Sequence, residues 1–205
     1  RPFFFFVHDT DALARLMEGQ DAVVNLVAIL HGTAATFEQV HIELPRTIVR
    51  ACAAAGVRRM VQVSALGAAP DGPSMYQRSK ARGEAVLQAA AGAGALDLTV
   101  LRPSVIFGAD DKFLNVFAQL QRVFPVIPLA GADTRFQPVW VEDVAGAVVR
   151  CLQDDTTIGR TYEACGPEVF TLRELVRLAG QYAGVNQGRG RAVFALPMPL
   201  ARVQA

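Results

Sequence analysis

The chain has 205 residues, of which 52% are hydrophobic and 19% are charged, and its formal net charge is +1. This length and composition allow one domain, or one domain with a small lobe, to bury a core. The basic residues are scattered and form no extended positive surface, so we do not expect nucleic acid as a partner.

The apolar runs are too short for a membrane span. The longest, such as "AVVNLVAIL" at 22–30, reach about half of the ~20 residues that a spanning helix needs. Cys52, Cys151 and Cys165 are odd in number and widely spaced, which favours reduced thiols over a disulfide framework or a metal site. The cysteine pattern predicts a reducing, cytoplasmic compartment. No histidine pair has ligand spacing, so we also predict no metal site.

From Asp9 onwards, amphipathic helices alternate with apolar strands. The predicted elements of the first half are a helix "DALARLMEG" capped by Asp9 or Thr10, a strand "AVVNLVAIL", a helix from about Phe37 to Ala55, a strand "RRMVQVS", a helix from about Ser74 to Ala91, and a strand "LDLTVLRPS". Strands that are apolar on both faces predict an α/β fold, a Rossmann-like doubly wound parallel sheet covered by helices.

Beyond Gly108 the alternation loosens. The predicted elements there are the helix "DKFLNVFAQLQRVF", the Pro-punctuated stretch "PVIPLAGADTRFQPVW", the helix "VEDVAGAVVRCL", the strand "RTYEAC" and the helix "TLRELVRLAGQYAG". We therefore predict a Rossmann-like core at 1–108, and late core elements interwoven with a small C-terminal substrate lobe at 109–205.

The opening "RPFFFFV" has four consecutive phenylalanines, Phe3 to Phe6, without strand alternation or a helical period. It predicts a buried strand, and the alternative is an exposed apolar docking surface.

Tyr76 and Lys80, in "SMYQRSKARGE", are four residues apart and so share one face of the predicted helix. An ammonium beside the phenol favours the ionised phenol and brings its pKa down from ~10 towards a useful range. A phenol that exchanges a proton with a substrate oxygen suits hydride transfer to or from a nicotinamide. The spacing alone also occurs by chance in many helices.

Three strands end near polar or flexible residues. Ser64 ends the strand "MVQVS", and "NLVA" at 25–28 and "LRPSVIFG" at 101–108 end two others. Ligands of doubly wound sheets lie outside the carboxyl ends of the strands, so these ends are the predicted site. A structural Ser64 that only caps its strand is the alternative.

The pieces "DAVVNLVA", "GVRRMVQVSALGA", "YQRSK", "LRPSVIFG", "FQPVWVEDVAGAV" and "YEACGPEVFTLREL" together resemble the short-chain dehydrogenase/reductase superfamily, in its extended or atypical branch. The resemblance covers about residues 8–183. Within the superfamily, the chain is most similar to bacterial proteins that resemble the nucleotide-binding accessory subunit of respiratory complex I, NADH:ubiquinone oxidoreductase.

The resemblance implies a dinucleotide cofactor, NAD or NADP, and assigns residues to it. Tyr76 would be the catalytic acid/base, Lys80 would hold the nicotinamide ribose and tune Tyr76, and Ser64 would lie at the substrate oxygen. The remaining implied cofactor contacts are the backbone of Val27 and Ala28 on the adenine-ribose side, and Pro103 and Ser104 beside the nicotinamide.

The chain departs from the superfamily in two places. It has no Gly-rich turn between a strand and a helix, where the pyrophosphate would bind, so we expect roughly fifty further residues of strand-helix-strand type upstream, as the ~30-residue βαβ unit suggests. Ala65 stands where extended members often carry the hydroxyl that contacts substrate, which puts catalysis in doubt.

Two charged positions have structural interpretations. Glu142 and Asp143 open a predicted helix, where carboxylates suit the helix dipole. Arg102 ends a strand, and we predict that it forms a salt bridge.

The sequence and its resemblance to the superfamily leave three functions open. The first is an NAD(P)-dependent reductase, dehydrogenase or epimerase, linked to respiratory NADH:quinone metabolism, whose small-molecule substrate is set by the lobe from Asp110 to Pro138. The second is a non-catalytic nucleotide-binding structural or assembly subunit of a respiratory complex, peripheral to the inner membrane. The third is a redox sensor that binds a regulator. The sequence leaves oligomerisation open.

Overall fold

The computed structural model describes residues 9–196. The predicted strand at Phe3 to Phe6, and His8, lie outside the described residues. The chain divides into two compact units. The first unit contains the residues up to Pro103 and Ala145–Ala164, and the second contains Ser104–Val144 and the residues from Cys165 onwards.

The helices of the described residues, in chain order, are α1 (Thr10–Met17), α2 (Ala34–Glu38), a π-helical turn (Gln39–Glu43), α3 (Leu44–Ala55), α4 (Met75–Gly92), α5 (Leu114–Val123), α6 (Val141–Gln153), a 3-10 turn (Asp155–Thr157) and α7 (Leu172–Tyr182). The strands are β1 (Ala22–Asn25), β2 (Arg59–Val63), β3 (Asp97–Pro103), β4 (Ile106–Phe107), β5 (Val126–Ala130), β6 (Arg135–Phe136), β7 (Val139–Trp140), β8 (Thr161–Ala164), β9 (Phe170–Thr171) and β10 (Ala192–Leu196).

The first unit is built on a parallel sheet of order β1-β2-β3-β8. Val61 of β2 pairs with Thr99 of β3, and Leu101 of β3 pairs with Tyr162 of β8. Helices connect these strands, as parallel strands require. The predicted α/β class with a Rossmann-like parallel sheet is confirmed.

Alternate residues of the central strands enter two different cores. Met60 packs into a cluster with residues of α1, α3 and α4, and the next residue, Val61, packs against Cys151 and its neighbours in α6. Because successive strand residues point to opposite faces, this alternation buries both faces of the sheet and accounts for the unbroken apolar runs in the sequence.

The second unit contains short two-stranded pairings: β4 with β7, β5 with β10, and β6 with β9. Its core, which includes Ile127, Leu129 and Val176, lies between β5 and α7. The side chain of Gln121 in α5 is fully buried there and donates through Nε2 to the carbonyl of Val176 (2.6 Å).

The predicted strand at 22–30 is wrong in its second half, because β1 ends at Asn25. The Asn25 side-chain oxygen accepts the N–H of Val27 (3.1 Å), a local turn that takes the backbone out of the ladder. Leu26 and Leu30 are consequently about two-thirds exposed, at 66% and 67%.

The predicted helix at 37–55 begins earlier, at Ala34, and contains a π-helical turn over Gln39–Glu43. Pro45 lies just after this turn and has no N–H to give to the carbonyl of His41, so an uninterrupted α-helix would leave that carbonyl crowded and unpaired. The wider turn resolves this conflict.

The structure places Arg102, Glu142 and Asp143 as the sequence predicts. Arg102 forms the predicted salt bridge, with Nη2 at 2.6 Å from Oε2 of the buried Glu84. Glu142 and Asp143 lie in the first turn of α6. Both predictions are confirmed.

Candidate functional site

The carboxyl ends of β1, β2 and β3 lie at one edge of the sheet, because the three strands are parallel neighbours. The residue after β2, Ser64, donates its N–H to the carbonyl of Leu101 (2.7 Å), and Leu66 donates to the carbonyl of Pro103 (2.8 Å). These bonds continue the attachment of the β2 end to β3 beyond the last paired residues. Val27 and Ala28 follow β1 and are exposed.

Lys80 of α4 is brought to the same edge. Its Nζ donates to the carbonyl of Val63, the last residue of β2, at 3.0 Å. The side chain is buried, and burial lowers the pKa of Lys80 to about 8, partly opposed by the nearby carboxylate of Glu84. An ammonium has three donor hydrogens, so a group beside Val63 could accept another.

Tyr76 lies one turn before Lys80 on α4. Its ring makes an edge contact with the ring of His41, with centroids 5.6 Å apart. Burial raises the pKa of Tyr76 above its ordinary value. The expectation that Lys80 lowers this pKa is wrong in this structure, since desolvation of the phenol is the effect that dominates.

Ser64 is 5% exposed, and its Oγ has no hydrogen-bond partner among residues 9–196. Buried hydroxyls are normally paired, and an orphan of this kind needs a reason. The adjacent Ala65 is also buried and apolar. A serine that only caps its strand would bond to the backbone through its hydroxyl, and Ser64 Oγ makes no such bond within residues 9–196.

The structure therefore gathers Lys80 and Ser64 at the end of β2, with Pro103 at the neighbouring strand end. Tyr76 is on the helix that carries Lys80. Val27 and Ala28 follow the end of β1, on the other side of β2. Ser104 begins the second unit.

Three buried polar residues near this edge were not singled out from the sequence as site residues: Asn25, His41 and Gln62. The side chain of His41 is hydrogen-bonded to Ser79 and to the N–H of Ile29. Their burial arises from contacts between distant segments, which no local pattern reveals.

The second unit contains its own cavity, with a volume of about 1250 Å³. It lies between residues 107–112, α5 and α7, and its lining includes Phe107, Phe170 and Tyr182 as well as the charged Lys112 and Arg122. This size is sufficient for a small-molecule ligand.

Residues 9–196 contain neither a metal-binding cluster nor a membrane-spanning helix. No group of three or more His, Cys, Asp or Glu side chains in this range is placed to hold a metal ion. No helix in the same range is long and apolar enough to cross a membrane.

Comparison with protein families matches residues 5–165 to the NAD dependent epimerase/dehydratase family. This range includes the whole parallel sheet of the first unit and each of the predicted site residues.

Relatives of this chain carry the name NADH dehydrogenase (ubiquinone) 1 alpha subcomplex subunit 9, mitochondrial. The Arabidopsis thaliana protein is 34% identical over all of this chain, and the Mus musculus protein is 36% identical over 82% of it. The chain spans 50% and 44% of those two proteins, about half of their length.

Solved structures share the fold at lower identity. A dTDP-glucose 4,6-dehydratase from Streptomyces venezuelae, with NAD and DAU bound, superposes with a TM-score of 0.81 at 23% identity, over 93% of this chain and 65% of the other. RMD from Pseudomonas aeruginosa, complexed with NADPH, has a TM-score of 0.81 at 19% identity, over 96% of this chain and 76% of the other.

Proposed function

Because the chain belongs to the NAD dependent epimerase/dehydratase family, we propose that the protein containing it binds NAD or NADP at the carboxyl ends of β1, β2 and β3 and is an oxidoreductase-type protein. The family match agrees with the expected cofactor. The activity and the substrate of the whole protein are part of this proposal.

The observation that carries the proposal is the buried Ser64 hydroxyl, which has no partner within residues 9–196. It directly follows β2, whose last carbonyl binds the buried ammonium of Lys80. Burying a hydroxyl and a charge costs free energy that a folded protein recovers when a polar ligand binds them. The ribose and carbonyl groups of a nicotinamide nucleotide and its substrate have the required acceptors.

The cofactor, when bound, would supply or accept the hydride. Val27 and Ala28 would line its adenine-ribose side, and Pro103 and Ser104 would flank the nicotinamide. Lys80 would donate hydrogen bonds to the nicotinamide ribose.

The reacting proton is assigned to Tyr76. Because burial raises its pKa, the phenol is protonated at neutral pH and is suited to donate a proton to a substrate oxygen, the direction of carbonyl reduction. Ser64 Oγ would donate a hydrogen bond to the same oxygen and stabilise its developing negative charge. The second unit, which has its own cavity, would contain the proposed substrate lobe.

Tyr76→Phe in the natural full-length protein tests this assignment. The change removes the phenolic hydroxyl and keeps the ring, so NADH and NADPH titrations should give unchanged affinity. Consumption of NADPH or NADH in a panel of carbonyl substrates should fall at least a hundredfold, the usual range for a lost acid/base group being about 10²–10⁴. Unchanged turnover would remove Tyr76 from the reaction.

A second candidate function is a nucleotide-binding structural or assembly subunit of a respiratory complex, without turnover. Two observations favour it: relatives are named as subunits of mitochondrial NADH dehydrogenase, and the buried Ala65 offers no hydroxyl at the position where extended members often have one. In this case the protein would associate peripherally with a membrane complex rather than remain cytoplasmic.

The two functions give different results for Tyr76→Phe in cells. A structural subunit would show normal amounts of assembled respiratory complex on native gels and normal growth, together with no turnover in the wild type. Loss of the complex in a deletion strain and its recovery with Tyr76→Phe would favour the structural function.

A further inference from the structure

The segment after β1, residues 26–30, is attached to buried side chains at two backbone N–H groups. Val27 donates to Asn25 Oδ1 (3.1 Å), and Ile29 donates to His41 Nε2 (3.1 Å). Asn25 and His41 are each 4% exposed. Each of these side chains continues into a series of hydrogen bonds that ends on α4.

The first series passes through His41. Because the N–H of Ile29 can only donate, His41 Nε2 is the acceptor and Nδ1 carries the proton. Nδ1 then donates to Ser79 Oγ (2.8 Å), and Ser79 donates to the carbonyl of Tyr76 (2.9 Å). Every donor in this series has an acceptor, and only the neutral Nδ1–H tautomer of His41 satisfies all of them.

The second series passes through Gln62. Asn25 Oδ1 is occupied by the N–H of Val27, so Asn25 Nδ2 donates to Gln62 Oε1 (2.9 Å). Gln62 Nε2 then donates to the carbonyl of Val63 (2.9 Å), which also accepts from Lys80 Nζ (3.0 Å). The first series therefore ends at the backbone carbonyl of Tyr76 and the second at Lys80, two of the residues that have roles in the proposed function.

Close packing keeps these side chains in place. The π-helical turn at Gln39–Glu43 carries His41, and Gly83 of α4 lies so near that an added Cβ would be 2.0 Å from the carbonyl oxygen of His41. The cavity that remains between His41, Gln62 and Lys80 measures only about 10 Å³. A ring or an amide has no space there to turn.

We propose that His41 and Gln62 are positioning residues that hold the segment 26–30 at a fixed distance from Tyr76 and Lys80. The inference rests on the proposed function, in which this segment lines the adenine-ribose side of the cofactor and Lys80 holds the nicotinamide ribose. A dinucleotide must reach both places at once, whereas a mononucleotide needs only one. Fixed spacing therefore strengthens the binding of the linked ligand more than that of its halves.

The test compares calorimetric titrations of NADH, AMP and NMN with the natural full-length protein. His41→Phe keeps a ring against Phe37 and Tyr76 but loses both hydrogen bonds, and Ser79→Ala breaks the same series by a smaller change. Each should weaken NADH binding roughly tenfold, the effect of about one net hydrogen bond, while AMP and NMN affinities stay within about threefold.

Thr47→Val is the matched control. Thr47 is a buried polar residue of α3 whose hydroxyl donates to the carbonyl of Glu43 and accepts from Arg50. Both bonds lie outside the two series, so their loss should leave the ratio of NADH to AMP affinity unchanged. Equal weakening of NADH and AMP in both His41→Phe and Ser79→Ala would overturn the positioning role. A wild type that binds neither NADH nor NADPH would overturn the proposed function and this inference together.

Discussion

Lys80 is a charged side chain that the fold keeps 4% exposed, with a pKa lowered to about 8 by burial. A lowered folded-state pKa means that the unfolded chain binds the proton more tightly. The folded protein is therefore most stable above pH 10.5, the pKa of Lys80 in the unfolded chain, where the amine is neutral in both states. The free energy of unfolding falls as pH decreases from 10.5, and this contribution is lost as pH falls through about 8, the pKa of Lys80 in the folded protein. At neutral pH the folded protein bears the cost of a buried ammonium.

We predict that Lys80→Met raises the free energy of unfolding at pH 7 by roughly 1–3 kcal/mol. The methionine keeps the apolar stem, and the carbonyl of Val63 remains paired because Gln62 also donates to it. Urea unfolding at several pH values measures the effect, and the advantage of the variant should shrink between about pH 8 and 10.5. A variant less stable than the wild type at pH 7 would show that burial of Lys80 carries no such cost.

His41 makes the stability of the fold depend on pH in the acidic range. Burial first, and the charge of Lys80 second, lower its pKa to about 4 from 6.5. The stability from neutral His41 is fully present above pH 6.5 and is lost as pH falls to about 4, because the unfolded chain takes up the proton first. The ring of His41 is hydrogen-bonded to Ser79 and to the N–H of Ile29 and contacts the rings of Phe37 and Tyr76, and Lys80 is the charge that acts on it.

We therefore expect the wild type to lose up to about 3 kcal/mol of stability between these two pH values through His41 alone. In His41→Phe this part of the slope should disappear. His31→Phe replaces an exposed histidine and is the control. Urea midpoints whose fall with acid is identical in all three proteins would contradict the tautomer assignment.

At this scale the sequence predicted Tyr76, Lys80 and Ser64 as site residues because their spacing and their positions after strands are local features, and their roles stay a prediction. The sequence could not identify Asn25 or Gln62, because these two side chains are hydrogen-bonded to each other although they lie 37 residues apart along the chain. It also predicted the wrong direction for the pKa of Tyr76, since the spacing indicates a neighbouring charge but not the burial that outweighs it.

At the scale of elements, α4 and the π-helical turn approach each other closely beside the candidate site. Gly83 makes it possible, because a Cβ there would be 2.0 Å from a backbone oxygen of the turn and 3.2 Å from the carbonyl carbon. Backbone atoms cannot move aside as a flexible side chain can. The glycine is needed for space, not for its conformational freedom.

Gly83→Ala should therefore destabilise the protein by about 3 kcal/mol or more. Gly92→Ala is the matched substitution in the same helix, where the added Cβ meets nothing within 4 Å. It should instead stabilise by roughly 0.5–1 kcal/mol, since alanine loses less backbone entropy in a helix. Equal effects of the two changes, measured by thermal unfolding, would mean that α4 does not approach the turn as described.

Helices and strands were largely predictable because amphipathic periods, caps and buried apolar runs are each visible within a short stretch of sequence. The helix at α4 begins within one residue of the prediction, at a capping box formed by Ser74 and Gln77. The errors have specific causes: the Asn25 turn ended β1 early, and Pro45 required the π-helical turn. Both depend on single side chains within an otherwise regular pattern.

At the scale of the whole molecule, the alternation of helices and apolar strands predicted the parallel sheet that the family match and the solved neighbours share. The strand order placed the carboxyl ends of β1, β2 and β3 at one edge, where Lys80 and Ser64 lie at the end of β2. The second unit was harder to predict from the sequence, because its paired strands have only two to five residues and their partners lie far along the chain.

The most direct test of the account is a calorimetric titration of the natural full-length protein, and of its Lys80→Met and Tyr76→Phe variants, with NADH and NADPH. We expect saturable one-site binding of at least one dinucleotide, unchanged in Tyr76→Phe and weakened at least tenfold in Lys80→Met, since only Lys80 is assigned a hydrogen bond to the cofactor. Absence of binding by the wild type, or equal affinity in Lys80→Met, would contradict the dinucleotide site at the end of β2.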